Sequence, residues 1–378
     1  MNVLEKLNEF KNSHIEEMHQ LLRDLVAIPA PSHHEEKRAE FCKAWFENIG
    51  AKGVYIDEAK NCVYPINCDG RDDIVVFMAH TDTVFPDTEP MGYEERDGYI
   101  YSPGVTDDTA NLAVLMVCAR YFKDNYQFGK DGVLIVANSC EEGLGNLKGS
   151  RQIAETFKGR IKEFISLDSS SMLRFVTGAV GSHRYKVSVA TEGGHSFGSF
   201  GNRNAIHVLS SMITSLYTVK VPKIGDSITT YNVGEISGGT SVNTIAQNAE
   251  MLYEYRSNDR ECLEKMRVMF NSVVDAYRAM GVEITVELLG ERPCSGVIDA
   301  EKFDVLKKRY LVSAKNVLDV DSEERFGSTD CNIPLSLGIP AICFGVCRGA
   351  GAHTRAEKLE VASLYDGCCL LLDFMFRG

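Results

Sequence analysis

Histidine and carboxylate side chains stand at several points of this sequence where they could bind metal ions and move protons. His80 and Asp82 are separated by one threonine, and Glu141 and Glu142 are adjacent. The remaining members of the set are Asp107, Asp108, Asp168 and His353. Imidazole nitrogens and carboxylate oxygens are ligands of ions such as zinc, and a further carboxylate can act as a general base.

Each of these residues also has an ordinary structural explanation. A histidine after a strand is commonly a hydrogen-bonded loop residue, and an aspartate before a helix, such as Asp107, is commonly an N-cap. Paired glutamates often lie in a solvated turn, and the Gly-Ala-rich stretch around His353 is typical of a turn. The combination of two imidazoles and several carboxylates at one edge of a sheet predicts two metal ions with one bridging carboxylate.

Apolar runs of strand length position these side chains, at residues 74–79, 133–137, 164–167 and 341–344. Helical periodicity at residues 14–28 and 36–49 precedes them. Continuous apolar strands separated by helices indicate an α/β fold with a mixed, largely parallel sheet covered by helices on both faces. Ligands of such sheets bind beyond the carboxyl ends of the strands, where His80, Glu141 and Asp168 follow three of the runs.

The stretch from residue 182 to residue 292 has a different pattern. Strand-like segments at 183–190, 227–236, 249–256 and 283–289 are interleaved with helical segments at 204–217 and 259–280. The order β-α-β-β-α-β is that of a ferredoxin-like unit. The sequence therefore predicts a catalytic metal-binding domain from residues 1–181 and 293–378, with a second domain inserted at 182–292.

Composition excludes several partners. The chain has 378 residues, 44% of them hydrophobic, and a formal net charge of -13, with no long basic run that would suit nucleic acid or an anionic membrane. No run approaches the roughly 18 apolar residues of a membrane span, and the N-terminus lacks the apolar core of a signal peptide. The 12 cysteines are scattered without zinc-site spacing. We expect a cytoplasmic protein with buried thiols.

An ordered series of motifs resembles the co-catalytic zinc peptidases, which include peptidase T, bacterial glutamate carboxypeptidases, succinyl-diaminopimelate desuccinylases and aminoacylases. The series spans nearly the whole chain. Its members are His-Thr-Asp at 80–82, Gly-Val-Thr-Asp-Asp at 104–108, Glu-Glu-Gly at 141–143, Gly-Gly-His-Ser at 193–196 and Gly-Gly-Thr-Ser-Val-Asn-Thr-Ile at 238–245.

The resemblance implies two divalent metal ions. Zinc is the preferred candidate, and cobalt and manganese are the alternatives. His80 and Asp168 would hold one ion, and Glu142 and His353 would hold the other. Asp107 would bridge the two ions.

The same resemblance implies roles for the residues around the ligands. Asp82 would accept a hydrogen bond from His80 and fix its tautomer. Glu141 would be the general base, taking a proton from the attacking water and returning it to the leaving nitrogen. A cis peptide bond is expected between Asp107 and Asp108.

In the inserted domain, the resemblance implies that His195 reaches the active site of the other subunit, so the domain would be a lid and would form a homodimer. Asn243 and Arg256 match positions that bind substrate oxygens or a carboxylate. Ser328 and Thr329 lie in a stretch that resembles a substrate-binding loop. The alternatives are a turn for His195, a surface salt bridge for Arg256, and a helix N-cap for Ser328 and Thr329.

The predicted reaction is hydrolysis of the amide bond of a short peptide or an N-acyl amino acid. An aspartate at Asp168 resembles the aminopeptidase and dipeptidase branch, which favours a peptidase T-like aminopeptidase. The serines at 169–171 depart from the glycines of peptidase T and leave tripeptide specificity open. The alternatives are an N-acyl amino acid amidohydrolase or carboxypeptidase and, from another class, a metal-dependent binding protein without catalysis.

Overall fold

A computed structural model describes residues 3–125 and 131–377. The chain divides into two units: the first runs to Ala179 and resumes at Gly296, and the second comprises Val180–Ser295. In chain order the helices are α1 (Val3–Val26), α2 (Glu36–Asn48), α3 (Ala110–Asn125), α4 (Lys148–Thr156), α5 (Ala205–Tyr217), α6 (Arg260–Ala279), α7 (Ala300–Leu318), α8 (Asn332–Ser336) and α9 (Ser363–Phe376).

The strands within the described ranges fall into four sheets. In chain order they are β1 (Tyr55–Ile56), β2 (Cys62–Ile66), β3 (Ile74–His80), β4 (Glu94–Arg96), β5 (Tyr99–Tyr101), β6 (Gly132–Asn138), β7 (Ile161–Ser166), β8 (Arg174–Ala179), β9 (Gly181–Ala190), β10 (Gly194–His195), β11 (Thr229–Gly238), β12 (Thr244–Ile245), β13 (Asn248–Ser257), β14 (Glu283–Arg292), β15 (Glu323–Gly327), β16 (Ala341–Phe344), β17 (Gly349–Ala350) and β18 (Lys358–Glu360).

An eight-stranded mixed sheet forms the centre of the first unit, in the order β1-β2-β6-β3-β7-β16-β8-β15. Its middle strands β6, β3, β7 and β16 are parallel. Every residue of β3, β6 and β16 is buried. Val75 and Phe77 pack in one apolar cluster with α1, α3 and α9, whereas Val76 and Met78 pack in another with α4 and α8. This alternation shows that helices cover both faces of the sheet.

The second unit has the element order β9-α5-β11-β13-α6-β14 and an antiparallel sheet in the order β11-β13-β9-β14. Alternate residues of β9 and β13 are buried, and Val187 and Tyr253 share one core with Met212 of α5 and Phe270 of α6. This is the ferredoxin-like arrangement. The predicted fold class, a helix-covered and largely parallel mixed sheet with an inserted ferredoxin-like unit, is confirmed.

Two short additions complete the description. Strands β17, β18, β5 and β4 form a small antiparallel sheet in the first unit, and β10 pairs with β12 in the second. Within the described residues, no helix combines the length and the apolar character that crossing a membrane requires.

Candidate metal centre

The candidate ligands leave the central sheet at the carboxyl ends of neighbouring parallel strands. His80 is the last residue of β3, and it pairs in register with Asn138, the last residue of β6. Glu141 and Glu142 follow β6 after two residues, and Asp168 follows β7. Because β6, β3 and β7 are adjacent and parallel, their ends place these side chains at one edge of the sheet.

Asp107 lies between the two histidines. It belongs to a short π-helical turn, Val105–Thr109, and the peptide bond to Asp108 is cis, as the resemblance predicted. Its Oδ1 is 3.1 Å from Nε2 of His80, and its Oδ2 is 3.0 Å from Nε2 of His353. One carboxylate therefore presents a separate oxygen to each imidazole, which is the geometry that a bridging ligand needs.

The other carboxylates surround the same two imidazoles. Oδ1 of Asp168 is 4.0 Å from Nε2 of His80, and Oε1 of Glu142 is 3.2 Å from Nε2 of His353. Ligand atoms of His80, Glu141 and Asp168 all lie within 4.8 Å of one another, and so do those of His80, Asp107 and Glu142. The structure thus brings together the predicted set His80, Asp82, Asp107, Glu141, Glu142, Asp168 and His353.

The arrangement fits two divalent ions. Among the described residues, Oε1 of Glu142 is buried without a hydrogen bond, although it lies only 3.2 Å from Nε2 of His353. The two atoms are close but are not aligned for a hydrogen bond, as expected for two ligands of the same metal ion. Nitrogen and oxygen donors with this crowding of negative charge suit zinc, cobalt or manganese.

Protonation within the cluster reflects the same crowding. Contact with Asp107 and Glu142 raises the pKa of His353 to about 10. Burial raises the pKa of Glu142 to about 7, and burial together with the Glu141 carboxylate raises the pKa of Asp168 well above its usual range. Burial opposes ionisation of Asp107, but hydrogen bonds from His353 and His80 outweigh it and lower its pKa.

Asp82 has a wider set of contacts than predicted. Nδ1 of His80 is 3.0 Å from the main-chain carbonyl oxygen of Asp82 and 3.4 Å from its Oδ1. The Asp82 carboxylate also accepts hydrogen bonds from the main-chain N–H groups of Glu141 and Glu142, at 3.0 and 2.9 Å, and from the Ser32 hydroxyl at 2.6 Å. It therefore orients the imidazole and both glutamates.

Glu357 was not predicted, although it holds the turn that carries Asp107. Its buried carboxylate accepts hydrogen bonds from the N–H groups of Gly104, Thr106 and Asp107, at 2.6, 2.7 and 3.0 Å, and from the Thr106 hydroxyl at 2.6 Å. Asp108, likewise buried, accepts from the N–H of His80 at 2.8 Å. A lone glutamate four residues after His353 has no distinguishing spacing, so sequence offered no signal for it.

His195 belongs to the second unit and lies on β10, opposite Thr244 of β12. Its Nδ1 accepts hydrogen bonds from the N–H groups of Phe197 and Gly198, at 3.3 and 3.2 Å. The proton of the neutral imidazole must therefore be on Nε2, which makes that nitrogen a donor. The N–H of Ser196 donates to the Asn243 carbonyl oxygen at 2.9 Å, so Asn243, which directly precedes β12, lies beside the end of β10.

The remaining predicted substrate residues have local partners. Arg256, in the second unit, forms two hydrogen bonds of 3.0 Å with the Glu254 carboxylate. In the first unit, the buried Thr329 accepts from the N–H of Cys331 at 3.2 Å through its hydroxyl, just before α8 begins. Ser328 precedes it and is half-buried. The Arg256 contact matches the alternative of a surface salt bridge, whereas the N-cap of α8 is Cys331 and not Ser328 or Thr329.

A mixed α/β sheet that carries a bridged histidine and carboxylate cluster defines a class, the metal-dependent hydrolases. The sequence profile of Peptidase family M20/M25/M40 matches residues 76–377, and the chain belongs to this family. The resemblance predicted from the motifs is thereby confirmed, and the protein is an amide-bond hydrolase that requires metal.

Individual relatives cover nearly the whole chain. A succinyl-diaminopimelate desuccinylase of Corynebacterium glutamicum is 26% identical over an alignment of 368 positions, which covers 94% of this chain and 95% of that protein. Among solved structures, a tripeptidase from Staphylococcus aureus has a TM-score of 0.75 at 24% identity. The aminopeptidase PepT from Bacillus cereus has a TM-score of 0.73 at 21% identity. Each of these two comparisons covers 95% of this chain and 97% of the other, and at such identity they show the fold alone.

Proposed function

We propose that the protein is a peptidase T-like aminopeptidase that hydrolyses short peptides and uses two divalent metal ions, of which zinc is the preferred candidate. The observation that carries this proposal is the Asp107 carboxylate, whose two oxygens face His80 and His353 at 3.1 and 3.0 Å. Glu141 lies beside this bridge, within 4.8 Å of ligand atoms of His80 and Asp168. The aspartate at position 168, which resembles the aminopeptidase and dipeptidase branch, supports this assignment.

Bound divalent ions would lower the pKa of a water molecule and polarise the carbonyl of the scissile bond. Glu141 takes a proton from the attacking water and delivers it to the leaving nitrogen as the carbon–nitrogen bond breaks. Asp82 keeps the main chain of Glu141 in place through the 3.0 Å hydrogen bond to its N–H. His195 donates a hydrogen bond from its Nε2–H group to the oxyanion.

His195 would act across a homodimer formed by the inserted domain, for which we keep residues 182–292 as the lid and dimerisation domain. Phe197 and Phe200, on the loop that carries His195, are 89% and 91% exposed. Edge strand β11 presents a further apolar side chain, Ile236, which is 52% exposed. Exposed apolar side chains on an edge strand and on the His195 loop favour association with a second copy.

Asn243, Arg256, Ser328 and Thr329 remain the candidate substrate-binding residues. The Arg256 guanidinium donates two hydrogen bonds to the Glu254 carboxylate. It could bind a substrate carboxylate only after releasing Glu254. This pairing reduces the attraction for a substrate carboxylate and favours an enzyme that recognises the free α-amino group.

The alternative is an N-acyl amino acid amidohydrolase or carboxypeptidase. The desuccinylase relative, 26% identical over 94% of this chain, is the observation that favours it. Both candidate functions require the same metal ions and the same general base. They differ in the substrate, which carries a free α-amino group in the first case and an N-acyl group or a free α-carboxylate in the second.

A matched substrate panel separates the two readings. Protein reconstituted with zinc, cobalt or manganese is offered a tripeptide, its N-acetylated form, its C-terminal amide and an N-succinyl amino acid. The proposal predicts cleavage of the tripeptide and its amide and little cleavage of the acylated compounds. Cleavage of only the N-acyl compounds would assign the amidohydrolase function instead.

We also propose a cytoplasmic location, because all twelve cysteines are buried thiols. Fractionation of cells that produce the tagged chain tests this. Recovery outside the cytoplasmic fraction would contradict it.

A further inference from the structure

Asn138 and Asp330 meet in the interior of the first unit, behind the candidate metal centre. Both side chains are fully buried. Nδ2 of Asn138 donates a hydrogen bond of 2.6 Å to Oδ2 of Asp330. Among the described residues, the other oxygen of each group, Oδ1 of Asn138 and Oδ1 of Asp330, has no hydrogen-bond partner.

One proton would satisfy both of these oxygens. An ionised carboxylate can only accept hydrogen bonds, so it leaves the amide oxygen of Asn138 without a donor. A protonated Asp330 carries an O–H on Oδ1, and this group can donate to Oδ1 of Asn138 while Oδ2 accepts from Nδ2. The acid and the amide then form two antiparallel hydrogen bonds, and no buried polar atom of the pair is left unsatisfied.

We propose that Asp330 is a neutral carboxylic acid, that it pairs with Asn138 through two hydrogen bonds, and that this pair positions the Ser328–Thr329 loop against the strand end that carries the metal ligands. The role of that loop rests on the proposed function. The pair itself rests on the buried contact and its two unsatisfied oxygens.

The charges around Asp330 support the neutral form. Burial raises the pKa of Asp330 to about 8, and the Glu141 carboxylate acts in the same direction. His80 and the hydrogen bond from Asn138 oppose the shift without overcoming it. Asp82 adds a further repulsive carboxylate.

Both partners are tied to functional segments. The main-chain oxygen of Asn138 accepts from the N–H of Thr81 at 2.7 Å and from its hydroxyl at 2.8 Å, next to the ligand His80. On the other side, Asp330 directly follows Thr329, and its main-chain oxygen accepts from the Ser150 hydroxyl at 2.9 Å. Through its hydrogen bonds the pair connects the Ser328–Thr329 loop to the end of the strand that carries His80, and Asp330 acts as a positioning residue.

A swap experiment tests the pairing in metal-loaded protein. Asp330→Asn should keep both hydrogen bonds as an amide–amide pair, so its kcat/KM should stay within about threefold of wild type. Asn138→Asp confines two carboxyl groups and should lower kcat/KM at least about tenfold, mainly through KM, and lower Tm by at least about 2 °C. The double variant Asn138→Asp/Asp330→Asn rebuilds the pair in reverse and should recover both quantities.

Infrared difference spectra of wild type minus Asp330→Asn supply a readout that does not depend on activity. We expect the carbonyl band of a protonated carboxyl group at neutral pH. Loss of activity or folding in Asp330→Asn, no recovery in the double variant, or a carboxylate band in place of the acid band would each overturn the proposal. If no substrate is cleaved, the proposed function fails, and Tm with the infrared band still decides whether the pair exists.

Discussion

Glu141 and Glu142 are adjacent, yet their side chains serve the cluster differently. Glu142 approaches His353 to 3.2 Å, whereas Glu141 lies among ligand atoms of His80 and Asp168. We expect Glu141→Gln to keep both metal ions and to lower kcat by about 10²–10⁴-fold or more, because glutamine preserves shape but accepts no proton. Kinetics together with metal analysis measure this.

The matched control is Glu142→Gln, which should lose metal affinity as well as activity because it removes a proposed ligand. Glu155→Gln, on the surface, should change neither quantity. A near-normal kcat in metal-loaded Glu141→Gln would exclude Glu141 as the general base.

Asp330 predicts a pH dependence of stability in metal-free protein. Burial raises its pKa to about 8 in the folded state, with Glu141 and Asp82 acting in the same direction and His80 opposing. Between the ordinary aspartate pKa of about 3.9 and the folded value, the folded state binds the extra proton, so this carboxyl makes stability fall as pH rises. Asparagine has no such proton.

Thermal unfolding of metal-free wild type and Asp330→Asn from about pH 5 to about pH 8 measures this effect. Tm of the variant should rise relative to that of wild type as pH increases. The corresponding difference in unfolding free energy should grow by up to about 1.4 kcal/mol per pH unit. A constant difference in Tm would show that Asp330 is already ionised at the lower pH.

At the scale of elements, the predictable parts are those whose pattern is set within one segment. The apolar runs predicted β3, β6 and β16 because every residue of these strands is buried. Helices α5 and α6 were predictable from periodicity and from Asn204 and Asp259, whose side chains accept the first N–H groups of each helix.

Elements that depend on distant partners were not predictable. Strand β15 has almost entirely exposed side chains, and only its parallel pairing with β8 defines it. Helix α7 was also missed, although Asp299 caps it. The small sheet of β17, β18, β5 and β4 consists of strands of two or three residues joined across the chain, which carry too little periodicity to detect.

The candidate site shows the same division. Residues that could bind metal were predictable because their types and their positions after strands are distinctive. Ser32 and Glu357 were missed, and Asp108 was considered only as a member of the candidate set. The effect of all three comes from hydrogen bonds to main-chain groups or to another carboxylate, and such contacts exist only in the folded chain.

Glu357 links two elements of the site, since it lies in the segment between His353 and β18 and binds the turn of Asp107. Glu357→Gln should weaken metal binding by roughly 10–100-fold, the usual effect of removing a residue that orients ligands. The side-chain amide of the glutamine would place its own N–H group against the main-chain N–H groups that donate to the Glu357 carboxylate in the wild type.

Titration with zinc or cobalt measures this affinity, and Glu360→Gln is the matched control. Glu360 is on β18 but pairs with Arg348, so its loss should leave metal binding unchanged. Equal effects of the two substitutions would show that Glu357 has no special role in the turn.

For the whole molecule, metal binding should be a major source of stability. The cluster gathers several carboxylates in a chain whose net charge is already -13. A metal ion that binds only the folded state adds about 2.7 kcal/mol per site at a hundredfold excess over Kd. Treatment with a chelator should therefore lower Tm clearly, and two equivalents of zinc, cobalt or manganese per chain should restore it. Saturation at one equivalent would contradict the two-metal site.

Assembly is the last property that the proposed mechanism requires. The His195 loop is rich in glycine, with positive φ angles at Gly193 and Gly194, and it carries exposed phenylalanines. Among the described residues of the same unit, the edge strand β11 pairs with a strand on one side only. We expect a homodimer by light scattering, with His195 acting on the partner's substrate. Loss of an oxyanion donor costs roughly 10²–10³-fold in rate, so His195→Ala alone should be nearly inactive.

Mixing Glu141→Gln with His195→Ala distinguishes action in trans from action within one chain. After subunit exchange, half of the dimers contain both variants, and in each of these one site combines an intact Glu141 with an intact His195 from the other chain. Activity should recover to about a quarter of wild type on this symmetry argument. If His195 served its own chain, both sites of a mixed dimer would lack one group and no activity would return. A Glu141→Gln/His195→Ala chain mixed with either single variant is the matched control, because the symmetry that predicts recovery for the first pair predicts none for these.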